Sequence, residues 1–409
     1  MSATESREGD QHSGTPLLTP RDGVPEVIAE PTALQQAVDR FAAGTGPVAI
    51  DAERASGYRY SQRAYLIQLR RQGAGTALID PIACPDLSML DSALSEVEWV
   101  LHAATQDLPC LAELGMHPHA LFDTELAGRL LSLPKVGLAP LVHQMLGYHL
   151  EKGYSAADWS TRPLPQAWLN YAALDVEVLV ELRNALAERL REAGKSEWAR
   201  QEFEALCSFQ PAEARPDPWR RTSGIHRVRN RRDLAYVREL WSARERIARA
   251  KDIAPGRIIP DRAIIAVAIA KPASRADLAN VDGFDGRYSR RDLSTWWEAV
   301  HRARQLPDAQ LPEQSVSYDG PPPARAWADR APEAAARLSA CRAALQEVAT
   351  AEELPVENLL APDTVRRLAW QPPNELTEDA VVEHLRSHRA RQWQIELTTR
   401  PLVRVLTGA

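Results

Sequence analysis

Cysteine is scarce: four residues in 409, Cys84, Cys110, Cys207 and Cys341, spaced far apart. That excludes a Cys-x-x-Cys zinc module and leaves buried thiols in a reducing cytoplasm as the simplest expectation. No run of about eighteen uncharged apolar residues occurs, which excludes a helical membrane span. The N-terminus is rich in Ser, Thr, Glu and Gly and has no apolar signal core, so residues 1–23 are expected to form a disordered tail. A Gly-rich phosphate loop and a Ser–His–acid nucleophile set are also missing. Nucleoside triphosphate hydrolysis and acyl transfer therefore lose support.

What is present describes a globular chain, 44% hydrophobic and 25% charged, too long for a single core and suited to two to four domains. The net charge of −6 argues against a nucleic-acid partner until its distribution is considered. Residues 215–304 carry 21 Lys or Arg against 11 Asp or Glu, whereas the rest of the chain carries 28 against 44. Within that segment the basic residues cluster as Arg220-Arg221, Arg227, Arg229, Arg231-Arg232, Arg244, Arg246, Arg249 and Lys251. A basic middle beside an acidic module suits a polyphosphate ligand, although scattered charge on a solvated helix face is the plainer alternative.

Strand and helix signals alternate through the first half. Residues 48–51, 66–70, 77–80, 99–102 and 120–122 read as strands, and 86–94, 106–114, 138–146 and 166–193 as helices. This predicts an α/β layered domain with a mixed sheet over residues 24–210. A Pro-rich linker at 211–228 leads to an all-helical block at 229–305, and a second linker at 306–329 leads to another at 330–409. The two blocks echo each other at a spacing of about one hundred residues. Ile253-Ala254-Pro255 answers Glu353-Leu354-Pro355, Lys271-Pro272 answers Gln371-Pro372, and each block closes on a helix bearing Trp296-Trp297 or Trp393. Those tryptophans suit helix packing better than base stacking, given their spacing.

The chemistry begins at Asp51 and Glu53, which follow the apolar run Pro47-Val48-Ala49-Ile50. Alternate residues of a strand point the same way, so both carboxylates leave one face at the strand's end. Two buried anions that close repel each other unless a hard divalent ion sits between them. Asp107 stands early in a helix, and Tyr171 and Asp175 lie four apart on another, among apolar Ala172, Ala173 and Val176. Four carboxylates of this kind suffice for two metal ions about 4 Å apart astride a phosphodiester, with Tyr171 fixing the attacking water.

Taken in order, these motifs resemble the ribonuclease D family, in the tyrosine-bearing branch of the DEDD 3′→5′ exonucleases. The matching stretches are Asp51-Ala52-Glu53, His102 through Asp107-Leu108, and Tyr171-Ala172-Ala173-Leu174-Asp175-Val176, preceded by Asp158-Trp159-Ser160-Thr161-Arg162-Pro163-Leu164. The resemblance implies a ribonuclease-H-like exonuclease domain followed by two HRDC-like helical domains. It implies an exoribonuclease that removes nucleoside monophosphates from RNA 3′ ends, tRNA precursors being the expected substrates. Asp51, Glu53, Asp107 and Asp175 carry over as ligands of two Mg²⁺ or Mn²⁺ ions and Tyr171 as the residue that orients water. Gln106 and Tyr154 depart from the family's frequent Glu and Gln. Arg162, Lys152 and His102 are candidates for substrate contact, with the alternatives that Arg162 locks its turn and that His102 is a satisfied strand-end histidine. Two other readings are an exonuclease acting on DNA and an inactive nucleic-acid scaffold.

Overall fold

The computed structural model describes residues 14–150, 153–211, 216–284, 286–314 and 320–408. Its strands are β1 (Thr15–Leu17), β2 (Val27–Ile28), β3 (Thr45–Arg54), β4 (Ala64–Gln72), β5 (Gly75–Ile79), β6 (Glu98–Leu101), β7 (Ala120–Asp123) and β8 (Tyr148–Leu150). Six of them make one sheet in the order β2-β5-β4-β3-β6-β7, and β1 pairs separately with β8. The sheet is mixed, as the sequence predicts: β3–β4 and β4–β5 are antiparallel, β3–β6, β6–β7 and β2–β5 parallel.

Strand β3 lies inside the sheet and is covered on both faces, which explains its continuous apolar run. Val48 and Ile50 pack on one side with Val38 and Phe41 of the helix Pro31–Ala43. Ala49 packs on the other with Val176, Leu179 and Leu182. The period of two along a strand puts Asp51 and Glu53 on the Ala49 side, toward the helix that carries Asp175.

Three expectations need correction. Residues 14–23, placed by sequence in a disordered tail, are folded: β1 pairs with β8, Asn170 donates to the Leu18 carbonyl, and Arg21 ion-pairs with Glu181 and Glu177. A three-residue strand whose partner lies more than one hundred residues away leaves no periodic signal. The single helix expected over 166–193 is two, Gln166–Glu177 and Leu179–Glu192, broken at Val178. Neither Gly nor Pro marks that break. Finally, the linkers are partly core: Trp219 and Val228 pack into the first helical domain, and Trp327, tilted against Trp370 at 4.9 Å, into the second.

The helical repeat is visible in the element order. Arg231–Lys251, Pro255–Ile258 and Asp261–Ala270 correspond to Pro332–Ala351, Val356–Leu359 and Pro362–Trp370. Each long helix is followed within two residues by a left-handed one, Asp252 at φ 46° and Glu353 at φ 50°. The closing helices bury Trp296 and Trp393, so both are core. The arginine cluster of the first domain is divided. Arg231, Arg232 and Arg244 bind backbone carbonyls and acids of their own domain. Arg221, Arg227, Arg229 and Arg246 are exposed, and no side-chain partner is found for them among the described residues.

Candidate active site

At the end of β3, Asp51, Glu53 and Asp175 bring carboxylate oxygens within 4.8 Å of one another. They line a cavity of ≈ 450 Å³ together with Asp107, Tyr171, His102, Gln106 and Arg54. The helix Gln166–Glu177 is held in place by Ala172 and Ala173, which pack with Leu66 and Leu78 on the sheet. That contact turns Tyr171 and Asp175 toward β3. The Tyr171 hydroxyl stands beside the Asp175 carboxylate in the cavity and favours its charged form.

Asp107 sits apart from the tight trio, beyond the one-turn helix Ala104–Gln106, with its Oδ1 3.6 Å from Nη2 of Arg54. Its helix is positioned by Asp123, whose carboxylate accepts from the backbone N–H groups of Ala103 and Ala104 and from those of Glu125 and Leu126. One buried carboxylate thus caps one helix and fixes the entrance to another.

The electrostatics of this pocket are unfavourable in its ion-free form. Burial, followed by repulsion from Asp51, Asp175 and Asp107, pushes the Glu53 carboxyl up to about 10. Burial raises Asp51 as well, and burial together with repulsion from Asp51 raises Asp107 and Asp175. A set of oxygen donors that cannot all ionise without positive charge fits a hard divalent cation by its own chemistry. Asp51 lies opposite Gln68 of β4. Gln68 is fully buried, and neither polar atom of its carboxamide has a partner among the described residues.

His102 lines the same cavity. Its Nδ1 lies 2.9 Å from Thr124 Oγ1, and that hydroxyl donates to the Leu101 carbonyl. Thr124 is then an acceptor for the ring, so the proton sits on Nδ1 and Nε2 is the free acceptor. Burial lowers the His102 pKa to about 4, and the ring is neutral at physiological pH.

Arg162 does not behave as a substrate contact. Its guanidinium donates to both oxygens of Asp80 and to the carbonyls of Tyr65, Trp159 and Thr161, at 2.7–2.9 Å. Those five bonds use the guanidinium's donor capacity. Its work is to hold the segment containing Trp159, a fully buried ring packed 6.5 Å from Tyr171. Tyr154, half-exposed, meets Tyr171 edge-on at 6.1 Å, and its carbonyl accepts from the Trp159 indole. Lys152 lies outside the described residues.

The sequence reading missed Arg54 and Gln68. Strict alternation sends Arg54 to the face opposite Glu53, and only the register slip between Glu53 and Arg54 returns it to the acids. Gln68 lay hidden inside an apolar run, Leu66 to Leu69.

Comparison with known proteins agrees with this geometry. A family model described as a 3′-5′ exonuclease matches residues 25–191, the HRDC domain matches 233–300, and a 3′ to 5′ exonuclease C-terminal domain matches 320–406. The second helical domain thus answers to a different description from the first. Ribonuclease D of Gluconacetobacter diazotrophicus is 35% identical over 288 residues, 68% of this chain and 72% of that protein. A protein from Bifidobacterium adolescentis superposes with a TM-score of 0.89 at 37% identity, covering 97% of this chain and 100% of its own. Escherichia coli ribonuclease D, an exoribonuclease involved in structured RNA processing, superposes with a TM-score of 0.67 at 26% identity, covering 94% and 98%. No helix among the described residues is long and apolar enough to cross a membrane. The order of domains, the convergent acids and a relative matched over most of its length lead to one conclusion: the chain belongs to the ribonuclease D family and is a 3′→5′ exoribonuclease.

Proposed function

We propose that the enzyme trims the 3′ ends of structured RNAs, tRNA precursors foremost, releasing nucleoside 5′-monophosphates one at a time. The observation that carries this reading is the meeting of Asp51, Glu53 and Asp175 within 4.8 Å at a cavity that also admits Tyr171 and Asp107. Asp51, Glu53, Asp107 and Asp175 are the residues that would hold two divalent ions, Mg²⁺ or Mn²⁺. Such ions supply charge neutralisation and a more acidic water beside the scissile phosphate.

The remaining roles belong to the chain. Tyr171, fixed by Asp175 and by the rings of Tyr154 and Trp159, orients the attacking water through its hydroxyl. Burial keeps that hydroxyl protonated, so it donates rather than acts as a base. His102, neutral, offers Nε2 as an acceptor for a sugar hydroxyl of the terminal nucleotide. The exposed Arg221, Arg227, Arg229 and Arg246 of the first helical domain suit the phosphates of the RNA body. The four cysteines are free thiols, which suits the cytoplasm as the place of action.

The test is a 3′-labelled tRNA precursor, a matched DNA strand and a range of divalent ions, with Asp51→Ala and Asp175→Asn as controls. Release of monophosphates from the precursor that needs Mg²⁺ or Mn²⁺ and disappears in both variants is expected. Turnover in both purified variants would sink the ligand assignment, and a preference for the DNA strand would sink the substrate assignment.

A further inference from the structure

Arg54 is the one permanent cation among the described residues lining the acid cavity. Alternation along β3 would turn it away, yet the pairing slips by one residue, from Glu53 opposite Leu66 to Arg54 opposite Ala64. Irregularities of this kind re-aim side chains beside active sites. The result is a guanidinium about a quarter exposed, with Nη2 3.6 Å from Asp107. That distance is an ion pair but lies beyond a hydrogen bond. No hydrogen bond from the Arg54 side chain is found among the described residues. The contrast with Arg162, whose donors are all taken, is direct.

We propose that Arg54 is a further catalytic residue, which grips non-bridging oxygens of the scissile phosphodiester. The inference rests on the reading of this cavity as the metal-dependent phosphodiester site. Charge balance motivates it. Four ionised carboxylates and two divalent ions cancel, leaving nothing to attract a phosphodiester monoanion. The attack then adds charge to the phosphate. Arg54 supplies the missing positive charge, in a planar fork that matches two phosphate oxygens. The same guanidinium leans on Asp107. Once that carboxylate is otherwise neutralised, the guanidinium can turn to substrate.

In the step it assists, the water oxygen forms the new bond to phosphorus. The bond from phosphorus to the 3′ oxygen of the penultimate nucleotide breaks, and that oxygen leaves with the electron pair and ends with the proton that the attacking water gives up. Arg54 stays protonated throughout and only bears on the phosphate oxygens.

The experiment measures single-turnover cleavage of a 3′-labelled RNA by wild type, Arg54→Ala and Arg54→Lys, beside Mg²⁺ affinity measured calorimetrically without RNA. Arg54→Ala should cleave about 100-fold more slowly, as when a preorganised donor to a developing anion is removed. Arg54→Lys should recover only part of the rate, and guanidinium ion added to the buffer should partly restore Arg54→Ala. Mg²⁺ affinity should stay level or tighten, because a competing cation has gone. A rate within about threefold of wild type would overturn the proposal. So would a slow Arg54→Ala explained by weakened Mg²⁺ binding, or one that is folded by circular dichroism yet insensitive to guanidinium. An inactive wild type would instead count against the reading of the site.

Discussion

The two helical domains share a plan but are attached to the catalytic domain in opposite ways. Both dock through the corner just after the long helix. In the first, the Asp252 carboxylate accepts from the Ser61 backbone and the Tyr65 hydroxyl, Ala254 donates to the Tyr58 carbonyl, and Arg257 donates to the Gly57 carbonyl while lying 4.0 Å over the Tyr58 ring. These ties are polar, partly exposed and directed at the connection between β3 and β4. In the second, the Glu353 carbonyl accepts from a buried Lys195 and from Ser132, and Trp393 stacks on Trp198 at 4.9 Å. There a single apolar cluster runs without interruption from the sheet through the helices of the catalytic domain into the second helical domain. The difference teaches that equivalent corners of a repeat can serve either as a hinge or as core. Charge follows the same division: residues 231–305 carry 16 basic against 10 acidic residues, residues 332–407 only 9 against 11.

Removing one tryptophan from each domain should break the comparison most sharply. Trp393→Ala empties a site continuous with the catalytic core, and about 3–5 kcal/mol should be lost from the transition that unfolds both together. Trp296→Ala opens a similar cavity inside the first domain's own cluster. Its loss should appear as an early, separate transition in calorimetry. A single shared transition lowered equally by both variants would show that the first domain is no more detachable than the second.

Metal linkage sharpens the same division. The Glu53 carboxyl, near 10 in the ion-free fold against an ordinary 4.5, keeps its proton where the unfolded chain has lost it. The folded state binds more protons across that window, so ion-free stability falls as pH rises through it. Asp51, Asp107 and Asp175 are shifted in the same direction. Divalent ions held by these carboxylates, as proposed, would replace those protons, and their affinity should therefore increase with pH. At a concentration one hundred times its dissociation constant, Mg²⁺ should add about 2.7 kcal/mol to the catalytic transition. At fixed concentration the increment should be larger near about pH 8 than near about pH 6. The first domain's transition should not move. A larger increment at the lower pH would contradict the charge assignment of the cavity.

How much of this was legible in the sequence depends on what each feature is made of. Asp51 and Glu53 were readable because a strand's period of two is rigid, and Tyr171 with Asp175 because four residues make about one helical turn. The mixed sheet and the echo between helical blocks followed from periodicity and proline positions. The register slip that turns Arg54 inward, the pairing of β1 with β8 and the break at Val178 have no local marker. Arg162 shows a different limit. Its sequence setting suited a phosphate as well as Asp80, and only the count of occupied donors decides. The mode of docking was equally hidden, since Trp393 and Trp296 look alike in their helices while one is shared between domains.

Lys195 tests whether the second interface depends on its buried cation. Its ammonium donates to the carbonyls of Leu130 at 2.9 Å and Glu353 at 3.0 Å. Lys195→Met keeps most of the aliphatic stem, strands the Leu130 carbonyl and leaves the Glu353 carbonyl with Ser132 as its donor, so a loss of about 1–3 kcal/mol is expected. Chemical denaturation would read it as a lower midpoint at unchanged slope. No loss would mean that water satisfies those carbonyls and that the Trp198–Trp393 stack alone carries the contact.

The smallest effect should come from the hinge. Asp252→Ala removes two hydrogen bonds and a 3.7 Å ion pair with Arg63, all partly exposed. Such ties contribute on the order of 1 kcal/mol or less, so the catalytic transition should hardly shift. The connection they secure, however, directly follows Glu53 and Arg54, and it is held from the first domain's side by Asp252, Ala254 and Arg257 together. Loosening one tie should reduce the number of nucleotides removed per encounter, because the basic domain proposed to grip the RNA is then less firmly held to the cavity proposed to cut it. The cleavage rate of a short 3′ fragment, too small to reach the first domain, should remain that of the wild type. If the short fragment slows as much as the long RNA, the hinge is shaping the active site itself, and the separation drawn between a tethered first domain and a fused second one fails at that point.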